Sequence, residues 1–356
     1  MVIPTYNERY NVDHILSQIE SSPLARVVAQ LVFVDDDSPD DTAKAIRERS
    51  HSIPTICLQR IGRMGLSSAL IEGLMVAQTP FVAVMDADGQ HSPQDLLSLA
   101  NAARDQHLDL VIGVRQSPAG VGSATAGPQP LAQLLARLWP ALLGRKLQDP
   151  LSNLFVVSQP ALHRVVRGLK PVGSKLVFDM LTQMKGPDWR IEEIPVSLRP
   201  RHAGRPKLDW SVYIELLDQI VHRLSKGLIP ERFLSFAAVG GSGVVVHFSA
   251  LYTLVQMNQL PFWASQALAT LAAMTSNYTL NNEVTFRRLR RGGKTWPTGL
   301  ALFVAFCSVG AIANVGIASA LFAQAYAWWL SALAGVVVGA VFNFSLAKSY
   351  VWRRRT

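Results

Sequence analysis

Two acidic clusters stand where apolar runs end. Asp86-Ala87-Asp88 follows Phe81-Val82-Ala83-Val84-Met85, and Asp35-Asp36-Asp37 follows Leu31-Val32-Phe33-Val34. Residues i and i+2 leaving a strand point the same way, so Asp86 and Asp88 can address one ligand. Their hard oxygens suit Mg²⁺ or Mn²⁺, ions held by one or two carboxylates, waters and a substrate's phosphates. Such an ion would act as a Lewis acid toward a leaving diphosphate. Gln90 and His91 lie just beyond. Taken singly, either cluster reads equally as a solvated turn with helix-capping acids. Two clusters at equivalent strand ends favour a site.

The elements that must position these residues alternate along residues 1–200. Apolar runs bounded by turn residues, including Leu108 to Val114 before Arg115, alternate with helical patterns such as Asn11 to Ile19 and Asp41 to Arg49. That alternation predicts an α/β unit with a mainly parallel sheet. Ligands of such sheets bind beyond the carboxyl ends of the strands, where both acidic clusters fall.

Several motifs recur in a known order. They are Ile3-Pro4-Thr5-Tyr6-Asn7-Glu8, Val34-Asp35-Asp36-Asp37-Ser38, Arg63-Met64-Gly65-Leu66, Asp86-Ala87-Asp88-Gly89-Gln90-His91, Asp149-Pro150-Leu151-Ser152, Gly173-Ser174-Lys175 with Asp179, and Arg201-His202-Ala203-Gly204-Arg205-Pro206-Lys207-Leu208. Together they resemble family 2 glycosyltransferases of the GT-A fold, a Rossmann-like α/β fold, and within them the dolichol- or polyprenol-phosphate mannose synthases. The resemblance implies that Pro4, Tyr6, Glu8, Asp35, Asp36, Arg63, Asp86 and Ala87 meet the nucleotide. It implies that Asp86, Asp88 and Gln90 hold Mg²⁺ or Mn²⁺ and the diphosphate. Asp88, Arg115, Lys175, Arg199 and Arg201 would carry catalysis, with Ser152, Arg115 and Lys207 at the acceptor phosphate. Arginine and lysine are the side chains that neutralise phosphate oxygens. The sequence also departs from the family pattern. Asn153 and Leu154 replace the usual Gly-Phe, Pro206 replaces a serine, and Gln116 to Ala136 holds no Lys or Arg.

The rest of the chain is different in kind. Of 356 residues 49% are hydrophobic and 17% charged, against roughly 25% charged in a typical soluble domain. No Asp, Glu, Lys or Arg occurs between Arg232 and Glu283, or between Lys294 and Lys348. Each gap accommodates two membrane spans at about 20 residues per span. The pattern predicts a four-helix transmembrane domain over 232–356, with spans near 233–256, 262–282, 298–323 and 327–347. Residues 1–208 would form the soluble domain, and an amphipathic juxtamembrane helix would fill 209–231. Leu131 to Leu143 reads either as an interfacial segment or as a core helix. Of the net charge of +9, nearly all lies after Phe233. Arg287, Arg288, Arg290, Arg291 and Lys294 stand between spans two and three, and Arg353, Arg354 and Arg355 close the chain. This places both termini and the soluble domain in the cytoplasm by the positive-inside rule. The near-neutral soluble half argues against a nucleic-acid partner.

The membrane half repeats itself. Asn277-Tyr278-Thr279-Leu280 and Phe286 align with Asn343-Phe344-Ser345-Leu346 and Trp352, 66 residues on, and Gly243 aligns with Gly310 at 67. Two tandem hairpins of like orientation follow, and this half resembles GtrA-like membrane modules. His247, the ionisable residue deep in a span, reads as a functional site or as a neutral hydrogen-bonded histidine. Two cysteines, Cys57 and Cys307, support neither a disulfide framework nor a zinc site.

The combined expectation is an inverting hexosyltransferase acting at the membrane. The resemblance implies GDP-mannose as the first choice of donor and polyprenyl or dolichyl phosphate as acceptor. UDP-glucose is the second donor, and a non-enzymatic lipid-linked-sugar transporter or scaffold is the alternative of a different class.

Overall fold

The computed structural model describes residues 1–62, 64–117, 120–121, 140, 143–171, 175–200, 202, 217–222, 225, 227–256 and 260–353. The chain divides into two units, Met1–Leu216 and Leu217–Thr356.

The first unit is a sheet with helices packed against it. Its strands are β1 (Val2–Thr5), β2 (Leu31–Asp35), β3 (Thr55–Gln59), β4 (Phe81–Val84), β5 (Leu110–Ser117), β6 (Gly120–Val121), β7 (Phe155–Ser158) and β8 (Ile191–Ser197). Between them lie α1 (Val12–Glu20), α2 (Thr42–Glu48), α3 (Leu66–Val76), α4 (Pro93–Asp105), α5 (Gln159–Val165) and α6 (Leu176–Gln183). Strands β1 and β2 are buried at every position, as apolar strands covered on both faces must be. Helix α1 buries Val12, Ile15, Leu16 and Ile19, one face at helical spacing. Helix α4 starts where Ser92 Oγ accepts from the Gln94 N–H at 3.2 Å and Pro93 takes the first turn. Helix α3 lies so close to the sheet that a Cβ on Gly73 would collide with Val2 and come within 2.9 Å of Val34.

The strand order is β3-β2-β1-β4-β7-β5-β6, with β8 also paired to β5. Strands β3, β2, β1 and β4 run parallel, and β8 runs parallel to β5. Strand β7 is antiparallel to both β4 and β5, and β6 is antiparallel to β5. The expected mainly parallel sheet is therefore mixed toward one side. The chain leaves β5 at one edge of the sheet and re-enters β7 from that same edge, which forces the reversed direction. Strand β4 alternates: Val82 and Val84 are buried, Phe81 and Ala83 only partly. Order reverses between β1 and β4, and the ends of these two strands form the crevice where such sheets bind ligands.

The second unit is helical. It contains α7 (Phe233–Gln256), α8 (Phe262–Leu280), α9 (Thr295–Ala323) and α10 (Trp328–Leu346). Among the described residues three segments, Phe233–Gln256, Thr295–Ala323 and Trp328–Val351, are long and apolar enough to cross a membrane. Helix α8, the second of the four expected spans, is not among them, since it carries Ser265, Gln266, Thr270, Thr275, Ser276, Asn277 and Thr279. Its Thr270, Thr275 and Thr279 hydroxyls donate to carbonyls four residues back, which satisfies them within the helix. Of the expected 209–231 helix, residues 217–222 are helical, 225 and 227–231 are not, and the rest lie outside the described residues. Asp218 accepts from the N–H groups of Leu234 (2.8 Å) and Ser235, so a carboxylate caps the start of α7.

The sequence repeat has structural counterparts. Helix α8 continues as a π-helix over Asn281–Thr285, and α10 as one over Ala347–Val351. A Cβ on Gly243 would collide with Asn277, and one on Gly310 with Asn343. Helix α7 thus approaches α8, and α9 approaches α10, through the same glycine–asparagine contact. Phe236, Tyr278, Phe286, Phe303, Phe344 and Trp352 form one aromatic cluster joining all four helices. Trp352 stacks on Phe286 at 4.3 Å and donates its indole N–H to Asn282 at 2.9 Å.

Candidate active site

The loop after β2 is built around two buried carboxylates. Asp35 accepts from Thr5 Oγ1 (3.0 Å), Ser38 Oγ (2.6 Å) and the Ser38 N–H (3.0 Å). Asp36 accepts from Arg60 (2.8 Å) and from the N–H groups of Met64 (2.9 Å) and Gly65 (2.7 Å). Gly65 has φ +93°, left-handed backbone that glycine adopts without strain, and leads into α3. Nearby, Glu8 accepts from Asn11 Nδ2 at 2.6 Å, and its N–H donates to Thr42 Oγ1 at 3.0 Å. Pro4, Tyr6, Glu8, Asp35 and Asp36 thus gather at the ends of β1 and β2. The two aspartates differ from their expected role in one respect: their oxygens already shape the loops, so a nucleotide would meet the backbone they hold. Arg63 lies outside the described residues.

The second loop carries the acidic pair. Ala87 is buried in the hydrophobic core between α1, α4 and the sheet. Its methyl therefore cannot meet a nucleotide, contrary to expectation, and only its backbone is left for that purpose. Residues 85–88 have left the strand and turn: Asp86 is half-buried and Asp88 buried at the end of β4. Gly89, at φ +75°, turns the chain so that the Gln90 N–H reaches Asp88 Oδ1 at 3.1 Å. Arg199 closes this turn: its N–H donates to the Gln90 carbonyl at 2.9 Å, and its guanidinium reaches Ser92 Oγ at 3.3 Å. The His202 N–H donates to the Asp88 carbonyl at 3.3 Å. The His202 ring stacks on His14 with centroids 3.7 Å apart. Desolvation, then the charges of His202 and Arg199, push the His14 pKa down.

A third set of residues comes from β5 and from the chain that follows it. Arg115 is paired with the buried Asp149 through Nε (2.5 Å) and Nη2 (2.7 Å). Glu193 on β8 accepts from the N–H groups of Gln148 (2.9 Å) and Asp149 (3.0 Å), holding that turn. Burial pushes the Glu193 carboxyl up. Lys175 opens α6, and its pKa falls to about 8, by desolvation first and then by the Arg115 charge. The carboxylates of Asp86 and Asp149 oppose that fall. His91 is buried among the same groups, Asp86, Arg115, Asp149 and Lys175, and its pKa is lowered by desolvation first. Its Nδ1 has no hydrogen-bond partner. The fold therefore brings Asp86, His91, Arg115, Asp149 and Lys175, from separate stretches of sequence, into one electrostatic cluster.

Ser152 is a correction. It is fully buried, and its hydroxyl accepts from the Leu154 N–H at 3.2 Å, so it shapes the turn before β7 and does not face an acceptor phosphate. Arg201 and Lys207, and residues 131–139 of the expected interfacial segment, lie outside the described residues. Sequence reasoning assigned no role to Asp149, Glu193 or Asn153. Asn153 Nδ2 donates to Asp86 Oδ2 at 3.2 Å. The departure from the family's Gly-Phe pattern at this position was the available signal.

Residues 1–156 match the family described as Glycosyl transferase family 2, and residues 235–352 match the GtrA/DPMS transmembrane domain. A dolichol-phosphate mannosyltransferase of Pyrococcus furiosus is 29% identical over 361 residues, covering 99% of this chain and 98% of that protein. A dolichol-phosphate mannosyltransferase of Saccharomyces cerevisiae is 28% identical over 62% of this chain and 84% of that protein. Among solved structures, a glucosyl-3-phosphoglycerate synthase of Mycobacterium tuberculosis overlays with TM-score 0.48 and 18% identity, over 62% of this chain and 76% of that one. With a family 2 glycosyltransferase domain leading and a GtrA/DPMS transmembrane domain following, the chain is a membrane glycosyltransferase.

Proposed function

We propose that the enzyme transfers mannose from GDP-mannose to a dolichyl or polyprenyl phosphate, with inversion, at the cytoplasmic face of the membrane. The observation that carries this reading is the gathering of the acidic Asp86, after β4, with the cationic Lys175 and with Arg115 of β5. The full-length likeness to a protein named for dolichol phosphate and mannose supports the choice of substrates. The arginine-rich stretch from Arg287 to Arg291 supports a cytoplasmic sugar-transfer domain.

A divalent cation fits the residues present. Asp86 and Asp88 offer hard oxygens in the turn that follows β4. Among the described residues, no group of three or more His, Cys, Asp or Glu could hold a metal alone. A partial protein shell completed by waters and phosphate oxygens is how Mg²⁺ or Mn²⁺ is held beside a nucleotide. Asp86, Asp88 and the Gln90 amide would hold the ion, which when bound neutralises charge developing on the nucleoside diphosphate.

The chain's own groups do the rest. Lys175 and Arg115 attract and orient phosphate oxygens. Arg199 pins the Asp88–Gln90 turn through its backbone, and so keeps the acidic pair in place. A lipid phosphate, with a second pKa of about 6, is largely a dianion at neutral pH. It therefore needs alignment and charge neutralisation rather than a general base.

A donor panel tests the proposal. Purified full-length enzyme with Mn²⁺ or Mg²⁺ and a short polyprenyl phosphate is expected to transfer mannose from GDP-mannose. Preferential transfer from UDP-glucose would replace the donor, and no transfer from any sugar nucleotide would overturn the reading.

A further inference from the structure

Strands β4 and β7 pair antiparallel with Val84 opposite Phe155. Continued two residues past the sheet's edge, that register sets Asp86 opposite Asn153. Directly opposed residues of an antiparallel pair present their side chains on the same face. The contact follows: Asn153 Nδ2 lies 3.2 Å from Asp86 Oδ2. In the motif this stretch resembles, the position after Asp149-Pro150-Leu151-Ser152 is a glycine, which has no side chain to offer. Here it is a primary amide.

We propose that Asn153 is a positioning residue for Asp86 and, through it, sets how tightly the site holds its divalent cation. The inference rests on the metal reading given under Proposed function. The amide is suited to the task because it is neutral. It fixes one carboxylate oxygen by a hydrogen bond and leaves the full negative charge of Asp86 for the cation. Lysine or arginine in its place would compete with the cation for that charge. The cationic side chains nearby have other carboxylates to answer: Arg115 is paired with Asp149, and Lys175 feels the charge of Asp149 as well as that of Asp86. Hydrogen-bond partners of a ligating carboxylate orient it, and their removal typically costs about 10- to 100-fold in metal affinity.

Full-length protein in detergent, titrated with Mn²⁺ beside GDP or UDP (whichever the wild type binds more tightly), tests this by the loss of the free-ion paramagnetic signal. Asn153→Gly removes the side chain, and Asn153→Leu keeps its shape without the donor. Both are expected to weaken Mn²⁺ binding about tenfold or more, with the melting temperature unchanged. Binding as tight as wild type in Asn153→Leu would overturn the inference even if Asn153→Gly were weakened, because backbone freedom would then be the cause. Wild type that binds Mn²⁺ beside equally tight variants removes only this inference. Wild type that binds none removes the metal reading as well.

Discussion

The sheet unit and the helical unit handle buried polar groups in opposite ways. At the strand ends of the first unit, carboxylates and cations are buried together: Asp36 with Arg60, Asp149 with Arg115, and Asp86 near Lys175. The helical unit buries few charges. Among its described residues Asp218 is the buried carboxylate, and many of its other polar groups are amides and hydroxyls bonded locally, such as Asn282 with the Arg291 backbone (2.8 and 3.0 Å) and the threonines of α8 with their own helix. A charge needs a partner or water, and a hydrocarbon layer supplies neither. The lesson is a division of labour. Buried charge is concentrated at the strand ends of the sheet unit, while the helices achieve close approach through small residues.

The comparison can be broken at either end. The largest effect is expected from Asp36→Ala, which leaves Arg60 buried without its closest carboxylate. Stability should fall by about 3–5 kcal/mol by chemical denaturation, and a loss under about 1 kcal/mol would mean that Glu72 alone satisfies Arg60. Next comes Asp88→Ala, expected to lower kcat by about 10²–10³ at saturating metal. Undiminished transfer would remove the acidic pair from the mechanism.

In the helical unit, Gly310→Ala and Gly243→Ala should each cost about 1–3 kcal/mol from overpacking against an asparagine. Gly240→Ala, with open space around its Cβ position, should change little. Equal effects at all three positions in a detergent unfolding assay would refute the glycine–asparagine contact.

The smallest effect is a pH dependence. The Lys175 pKa falls from the ordinary 10.5 to about 8, so its ammonium is fully charged only below about pH 8. The kcat/KM for acceptor should decline as pH rises through about 8, and Lys175→Arg, charged beyond about pH 12, should flatten that limb. In stability the sign is opposite: the cost of the desolvated ammonium is full below about pH 8 and is relieved between 8 and 10.5. An unchanged alkaline limb in Lys175→Arg would place the titration elsewhere.

Much was legible in residue order. The strands ending at Asp35 and Asp86, the helices over Val12–Glu20 and Thr42–Glu48, and the repeat that pairs Asn277 with Asn343 all follow from period and spacing. What was not legible depended on neighbours distant in sequence. The reversed β7 could not be read from its apolar run, because Phe155, Val156 and Val157 look alike in either direction. Ser152 belongs to a matching motif, yet its burial is decided by packing. Helix α8 falls in a charge-free stretch, and the polar residues within that stretch lower its apolarity.

Residue order alone settled the alternation of elements, the two charge-free stretches of the membrane half and the acidic pair, because these are properties of local order and composition. Only the tertiary structure decided that Asp149 neutralises Arg115, that Lys175 lies near Asp86 and Asp149, and that Asn153 reaches Asp86. The physical reason is that partners far apart in sequence meet only when the sheet sets its register.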